Sequence, residues 1–295
     1  MKRFLGFLMI GVMTVPLFGG CGRKNPPLPS PSPKPNIVME GCEIHVLSLG
    51  KADCTLIIAD GEAMLIDAGY QEQGNDIVSY LHDNGINTLK YAVVTHGDKD
   101  HVGGMETVLR NVETEQVLLS PRKENSPEYA AMVGALNELK IPHAIPKLLD
   151  RYSLGRGTFT ILAPGQKALK ADTDNDASIV LRLDYKQRSA LFMGDALEKT
   201  EKEMRDAEYP LKADILKVGH HGKGDATTKK FLREVAPSYA VITCGDIIND
   251  TEDGYPFEEV IRRLNSFAVT TYRTDADGTI VFQTEGKKWQ VQKRP

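Results

Sequence analysis

The feature that most limits how this chain can fold is the passage from Tyr91 to Gly104, where the apolar run Tyr91–Val94 gives way to Thr-His-Gly-Asp-Lys-Asp-His-Val-Gly-Gly. It sets His96, Asp98, Asp100 and His101 within six residues. Held together away from water, such groups repel one another and lose hydration, so an empty cluster is destabilising. A divalent cation offsets that cost. Gly97, Gly103 and Gly104 allow the tight turn that aims neighbouring side chains at one point, and Lys99 is expected to face solvent. The competing reading is a solvated loop whose Asp and His cap the next helix.

Two other apolar runs end in the same way. Leu191-Phe192-Met193-Gly194-Asp195 ends in a carboxylate, and Leu216-Lys217-Val218-Gly219-His220-His221-Gly222 ends in two imidazoles. Gly-Asp alone is a common turn, so Asp195 gains weight only beside the others. Four of the seven histidines thus follow expected strands directly, and a shared sheet edge would bring them together.

The surrounding elements are short. Strands are expected at 44–49, 55–59, 63–66, 91–94, 159–162, 178–183, 189–193, 213–218, 239–243, 279–283 and 289–292. Helices are expected at about 75–82, after Gly104, and at about 197–207, 227–235 and 257–264, the last with Phe257, Val260, Ile261 and Leu264 on one face. Several neighbouring strands are joined by turns too short for a crossover helix, which disfavours a regular doubly wound sheet. The pattern predicts an α/β chain with two sheets packed face to face and helices outside.

These segments resemble the metallo-beta-lactamase fold superfamily, whose His-x-(His/Asp)-x-Asp-His signature the loop matches with Asp in second place. More narrowly, LSLGKADCTLI, LIDAG, THGDKDHVGG, NDASIVLRL, ALFMGD, LKVGHHG and YRTDADG are similar to the hydrolase domain of competence DNA-uptake channel proteins and their free-standing relatives, over residues 43–284. The resemblance implies an αββα four-layer sandwich of two mixed sheets, and a two-metal site. In it His96 and Asp98 hold one ion, Asp100 and His101 the second, and Asp195 bridges them. Either His221 or His220 completes the second site; the favoured order makes His221 the ligand and His220 a substrate-facing donor. Asp100, Asp195 and His220 would then carry the catalysis. Asp67 resembles the family's buried carboxylate orienting the ligand loop, with a helix cap as the alternative. Asp53 is expected to face the cleft, or else to be a turn residue.

The chain departs from that pattern in places. Lys51-Ala52-Asp53 stands where relatives usually have Gln-Gly-Asp, and Tyr255-Pro256 where they commonly have His-Pro, so Tyr255 either contacts substrate or packs. No middle histidine ligand is apparent between His101 and Asp195, since His143 lies in a helix-to-strand connection. Asn175 and Ser178 occupy the family's Asn-x-x-Ser position and face the first metal or the substrate, or cap the following strand. Oxygen-rich coordination at the first ion makes manganese as well as zinc suitable.

The N-terminus is read separately. Residues 1–20 combine Lys2 and Arg3 with an apolar run too short to span a bilayer comfortably, and Leu17-Phe18-Gly19-Gly20-Cys21 resembles a bacterial lipoprotein site. An exported chain lipidated at Cys21 is expected, attached to a membrane face at the cell surface or in the periplasm. Residues 21–37, with prolines at 26, 27, 29, 31, 33 and 35, form an extended linker reaching roughly tens of Å, or a disordered tail. Residues 38–295 form the hydrolase domain. The other cysteines, Cys42, Cys54 and Cys244, read as small buried hydrophobes.

Charge weighs on the substrate. The formal net charge is −4, and loss of Lys2 and Arg3 with the leader takes it to −6, so a polyanion needs a local basic patch. Lys217, Lys223, Lys229, Lys230 and Arg233 offer one, as a phosphate track or as an ordinary solvated face. The expected activity is metal-dependent hydrolysis of a phosphodiester, DNA among the candidates, with two zinc or manganese ions. A small phosphoester of phosphocholine type and a non-catalytic surface binding module are the alternatives.

Overall fold

Alternation within the first strands sets the architecture. Along Cys42–Val46, Thr55–Ala59 and Glu62–Ile66, residues Ile44, Val46, Ile57, Met64 and Ile66 enter one buried cluster, while Leu56, Ala63 and Leu65 enter another on the opposite face. Strands buried on both faces belong to an inner layer. The computed structural model describes residues 40–170, 173–245 and 256–294, so the expected leader and linker, with Cys21, and Tyr255 lie outside the described residues.

Two mixed sheets form the middle of the molecule. The first runs Gln290–Arg294, Thr279–Thr284, Cys42–Val46, Thr55–Ala59, Glu62–Ile66, Tyr91–Val94, Val117–Leu119 and His143–Ala144, antiparallel up to Glu62–Ile66 and parallel beyond it. The second runs Thr270–Arg273, Tyr239–Ile242, Ile215–Lys217, Arg188–Phe192, Val180–Tyr185, Gly157–Ala163 and Arg151–Leu154, with its first four strands parallel. Phe159, Leu181, Phe192 and Phe282 fill the space between the sheets. Ile77 and Leu81 of helix Gly74–Asp83 cover one outer face; Met204 of helix Glu198–Asp206, Phe231 of helix Lys229–Val235 and Val260 of helix Glu258–Ser266 cover the other. This is the expected αββα sandwich. No helix among the described residues is long and apolar enough to cross a membrane.

Some elements escaped the sequence pattern. Helix Pro127–Leu139 starts at Ser126, whose side chain accepts from the Tyr129 N–H, and places Pro127 in its first turn. Strand Thr270–Arg273 has no apolar alternation and exists because Tyr239–Ile242 offers it a parallel edge. The expected strand 213–218 is confined to Ile215–Lys217.

The parallel strands carry the site. Glu62–Ile66 and Tyr91–Val94 of one sheet, and Arg188–Phe192, Ile215–Lys217 and Tyr239–Ile242 of the other, are followed directly by Asp67, Thr95-His96, Met193-Gly194-Asp195, Val218-Gly219-His220-His221 and Thr243. Carboxyl ends of parallel strands are where open α/β sheets place ligands, because the loops leaving them are free of the ladder.

A buried carboxylate pins the turn that follows the two histidines. Glu201, 1% exposed, accepts from the backbone N–H groups of Thr227 and Thr228 and from Thr228 Oγ1 at 2.7 Å. Burial pushes its pKa up to about 7, with those donors pulling less strongly downward. The unfolded chain releases this proton near 4.5, so unfolding free energy should fall as pH rises from about 4.5 through about 7, by about 3 kcal/mol in all. Glu201→Gln keeps an acceptor without a charge, and urea unfolding of both proteins across that window should show a flatter profile for the variant. Parallel profiles would refute this assignment.

Candidate metal centre

Backbone shape comes first. Asp67, His220 and His221 all adopt positive φ, at 58°, 48° and 52°, a left-handed conformation that costs a non-glycine residue about 1 kcal/mol or more. Three such residues at one rim mark a place where packing and hydrogen bonding override local preference. Gly194 is left-handed too (φ 50°), and a Cβ there would lie 2.9 Å from Thr95 Cβ, so only glycine brings strand Arg188–Phe192 close enough for Asp195 to meet His96.

The side chains then converge. Asp195 Oδ1 lies 3.4 Å from His101 Nε2, and its Oδ2 lies 3.8 Å from His96 Nε2 and 3.5 Å from His221 Nε2. His221 Nε2 is also 3.6 Å from Asp100 Oδ2, and His96 Nε2 is 3.5 Å from Asp98 Oδ2. His96, His101, Asp195 and His221 are all buried, and the half-exposed Asp98 closes the open side. Three compact groups result among the described residues, His96–His101–Asp195, Asp100–His101–His221 and, behind His101, Asp53–Asp67–His101. They share His101, and Asp195 lies between their other imidazoles, its Oδ1 facing His101 and its Oδ2 facing both His96 and His221.

These residues fit a pair of cations. The buried atoms His96 Nε2, His101 Nε2 and Asp195 Oδ1 have no hydrogen-bond partner among the described residues. Orphaned buried polar atoms are rare, and three gathered together are a cost that cations remove. Ligands bonded to a tetrahedral zinc stand roughly 3.3–3.6 Å apart, close to the spacings found, which are too long for hydrogen bonds. Burial opposes charge on Asp195, but the imidazoles of His221 and His101 outweigh it and hold its carboxyl well below the usual range. Burial likewise opposes charge on His101, and Asp195 and Asp67 overcome it and raise its pKa. Bound cations would take over the role that these protons play.

Behind the cluster the remaining expected residues take distinct places. Asp67 Oδ2 lies 2.8 Å from His101 Nδ1 and accepts from Thr95 Oγ1, while its Oδ1 accepts from the Thr95 N–H; this turns His101 Nε2 inward. Ser178 is fully buried and its Oγ accepts from the Asp195 N–H at 3.2 Å. Asn175 Nδ2 lies 3.2 Å from His220 Nε2. His220 stands further out, its Nε2 4.0 Å from Asp195 Oδ2 and its Nδ1 3.0 Å from Asp225 Oδ1, so His221 is the imidazole inside the cluster. His143 is exposed on the edge strand His143–Ala144, away from the centre.

One expectation needs correction. Lys217 is 2% exposed and its Nζ lies 2.8 Å from Asp53 Oδ2, so it cannot belong to a surface phosphate track. Lys229, Lys230 and Arg233 remain exposed on their helix. Asp53 is buried, its carboxylate held by Lys217 and the Thr243 hydroxyl 3.5 Å from His221 Nδ1. Sequence reasoning also passed over Thr95, Thr243 and Asp225. Thr95 was the most findable, being the residue between an apolar strand and the first histidine.

The comparisons agree with this geometry. A family model described as the metallo-beta-lactamase superfamily matches residues 47–246. The chain is 25% identical over 271 residues to ComE operon protein 3 of Bacillus subtilis, covering 86% of this chain and 34% of that protein. It is 28% identical over 243 residues to Recombination protein 2 of Haemophilus influenzae, covering 81% and 28%. It thus spans about a third of the length of these relatives. Among solved structures, the metallo-beta-lactamase fold protein YhfI from Bacillus subtilis superposes with a TM-score of 0.56 at 10% identity, covering 83% of this chain and all of that one. Igni18, a metallo hydrolase from Ignicoccus hospitalis, gives 0.53 at 11%, covering 82% and 99%. At such identities the structural likeness is one of fold.

Proposed function

We propose that this chain, which belongs to the metallo-beta-lactamase superfamily, is a phosphodiester hydrolase that works with two divalent cations, zinc or manganese, held by His96, Asp98, Asp100, His101, Asp195 and His221. The observation that carries the reading is that His96, His101 and Asp195 bring ligand atoms within 4.8 Å of one another, with His96 Nε2, His101 Nε2 and Asp195 Oδ1 buried and without hydrogen-bond partners among the described residues. Cations bound there supply an activated water and stabilise charge growing on the phosphoryl oxygens. The chain's own groups do the rest. Asp67 and Thr95 fix the ligand imidazoles on one side, and Asp225 accepts from His220 Nδ1, which leaves His220 Nε2 beside Asn175 and 4.0 Å from Asp195 Oδ2, placed to exchange a proton with the leaving group.

Substrate recognition falls to Lys51. Its Nζ lies 4.0 Å from Asp100 Oδ2, with 30% of the side chain exposed at the mouth of the site. Lys51→Ala should raise KM for bis(p-nitrophenyl) phosphate roughly tenfold or more and leave kcat within about twofold, as loss of a charged contact made equally to bound substrate and transition state does. A fall in kcat at constant KM would remove Lys51 from substrate binding. One relative is named a recombination protein, and we carry DNA over from that name as the first polymer to test. Export and lipidation at Cys21, which would place the reaction at a membrane face, are part of the proposal and rest on residues 1–37 as sequence.

The test is hydrolysis by protein reconstituted with zinc or manganese. Turnover of the diester with either metal, and cleavage of DNA, is the expected outcome. Activity on phosphocholine esters alone would move the substrate class, and an inert, fully metallated protein would favour a binding module.

A further inference from the structure

One buried residue ties a ligand segment of the first sheet to a ligand segment of the second. Asp53 lies on the loop before strand Thr55–Ala59 of the first sheet, and its N–H donates to the Asp100 backbone carbonyl at 3.0 Å. Its side chain crosses to the second sheet. There Oδ2 meets Lys217 Nζ at 2.8 Å, and Oδ1 accepts from Thr243 Oγ1 and lies 3.5 Å from His221 Nδ1. Thr243 Oγ1 is itself 3.2 Å from His221 Nδ1, as is the Thr243 carbonyl.

We infer that Asp53, anchored by Lys217 and acting through the Thr243 hydroxyl, is the positioning residue that aims His221 at the metal centre; the inference rests on the two-cation reading above. It mirrors the other side of the site, where Asp67 backs His101 at 2.8 Å. A carboxylate behind a ligand imidazole fixes its tautomer and ring direction and strengthens its free nitrogen as a donor. The two sides differ in how the carboxylate is made tolerable in a dry place. Asp67 accepts two hydrogen bonds from Thr95, whereas Asp53 has the ammonium of Lys217, which cancels its charge. Because Asp53 comes from one sheet and Lys217, Thr243 and His221 from the other, the contact also sets the distance between the sheets where their ligands meet. The Thr243 hydroxyl is the link that can be removed with least disturbance.

The experiment compares wild type with Thr243→Val, Thr243→Ser and Asp53→Asn. Zinc affinity is measured by competition with a chromophoric chelator, and the visible spectrum is recorded after cobalt substitution. Thr243→Val keeps the shape and loses the hydroxyl, so it should weaken the second zinc by about tenfold and shift the cobalt bands, and Thr243→Ser should restore both. Asp53→Asn should lose about 10–100-fold, the usual scale for such partners. If Asp53→Asn fails to fold, the valine and serine pair still decides. Wild type that takes up two zinc ions, with a Thr243→Val variant equal to it in affinity and spectrum, overturns this inference alone. Wild type that takes up none overturns the metal-centre reading itself.

Discussion

Asp195→Asn should lower metal-dependent phosphodiester hydrolysis by at least about a thousandfold while leaving the fold in place. Changes to residues that merely support a ligand cost about 10–100-fold, and Asp195 is the group whose two oxygens face His96, His101 and His221. The asparagine has the same shape but only one oxygen and no charge, so it cannot serve two cations as an anionic bridge. A thousandfold loss corresponds to about 4 kcal/mol of transition-state stabilisation. Circular dichroism and the thermal midpoint of the metal-free variant should stay near those of the metal-free wild type, because the strands that present the residue are packed through Leu191, Phe192 and Met193. Activity within tenfold of wild type would mean that Asp195 does not bridge the ions.

Removing the metals should have the second large effect, on stability as well as activity. A folded state that binds ions the unfolded chain does not is stabilised by about 4 kcal/mol when free metal is a thousand times the dissociation constant. For a domain of this size each kcal/mol shifts the midpoint by roughly 2–4 °C, so chelation should lower it by roughly 8–16 °C. The physical origin is the set of buried atoms without hydrogen bonds, which the metal-free protein must carry unrelieved. Readdition of zinc or manganese should restore the midpoint and the activity together. A midpoint indifferent to chelator would show that the cluster holds no ion tightly.

Much of this was legible in the sequence, and the exceptions have physical causes. Strands buried on both faces, such as Thr55–Ala59 and Arg188–Phe192, announce themselves as dense apolar runs between turns. The ligand loops stand out because histidines and aspartates directly after such runs have no packing role to explain them. Strand Thr270–Arg273 was invisible because its formation depends on a neighbour rather than on its own pattern. Helix Pro127–Leu139 did carry a start signal in Ser126-Pro127, with Tyr129, Met132 and Leu136 spaced for one face.

Lys217 is the instructive error. Its neighbours in sequence include several lysines, which suggested a surface track, yet it has the same parity as Ile215 in a short strand. Period-two alternation therefore turned it inward, and an inward lysine requires a carboxylate, which Asp53 supplies. Residues such as Thr243 and Asp225 have no signature of their own. They become functional only through the tertiary contact that sets them behind a histidine.

Strand ends from two sheets should meet around two cations, and crystals grown with zinc or manganese, measured above and below the metal's absorption edge, decide whether they do. Two anomalous peaks should flank Asp195, one beside His96 and Asp98 and the other beside Asp100, His101 and His221. A metal-saturated crystal with no peak at Asp195, or with peaks only elsewhere on the molecule, would contradict this.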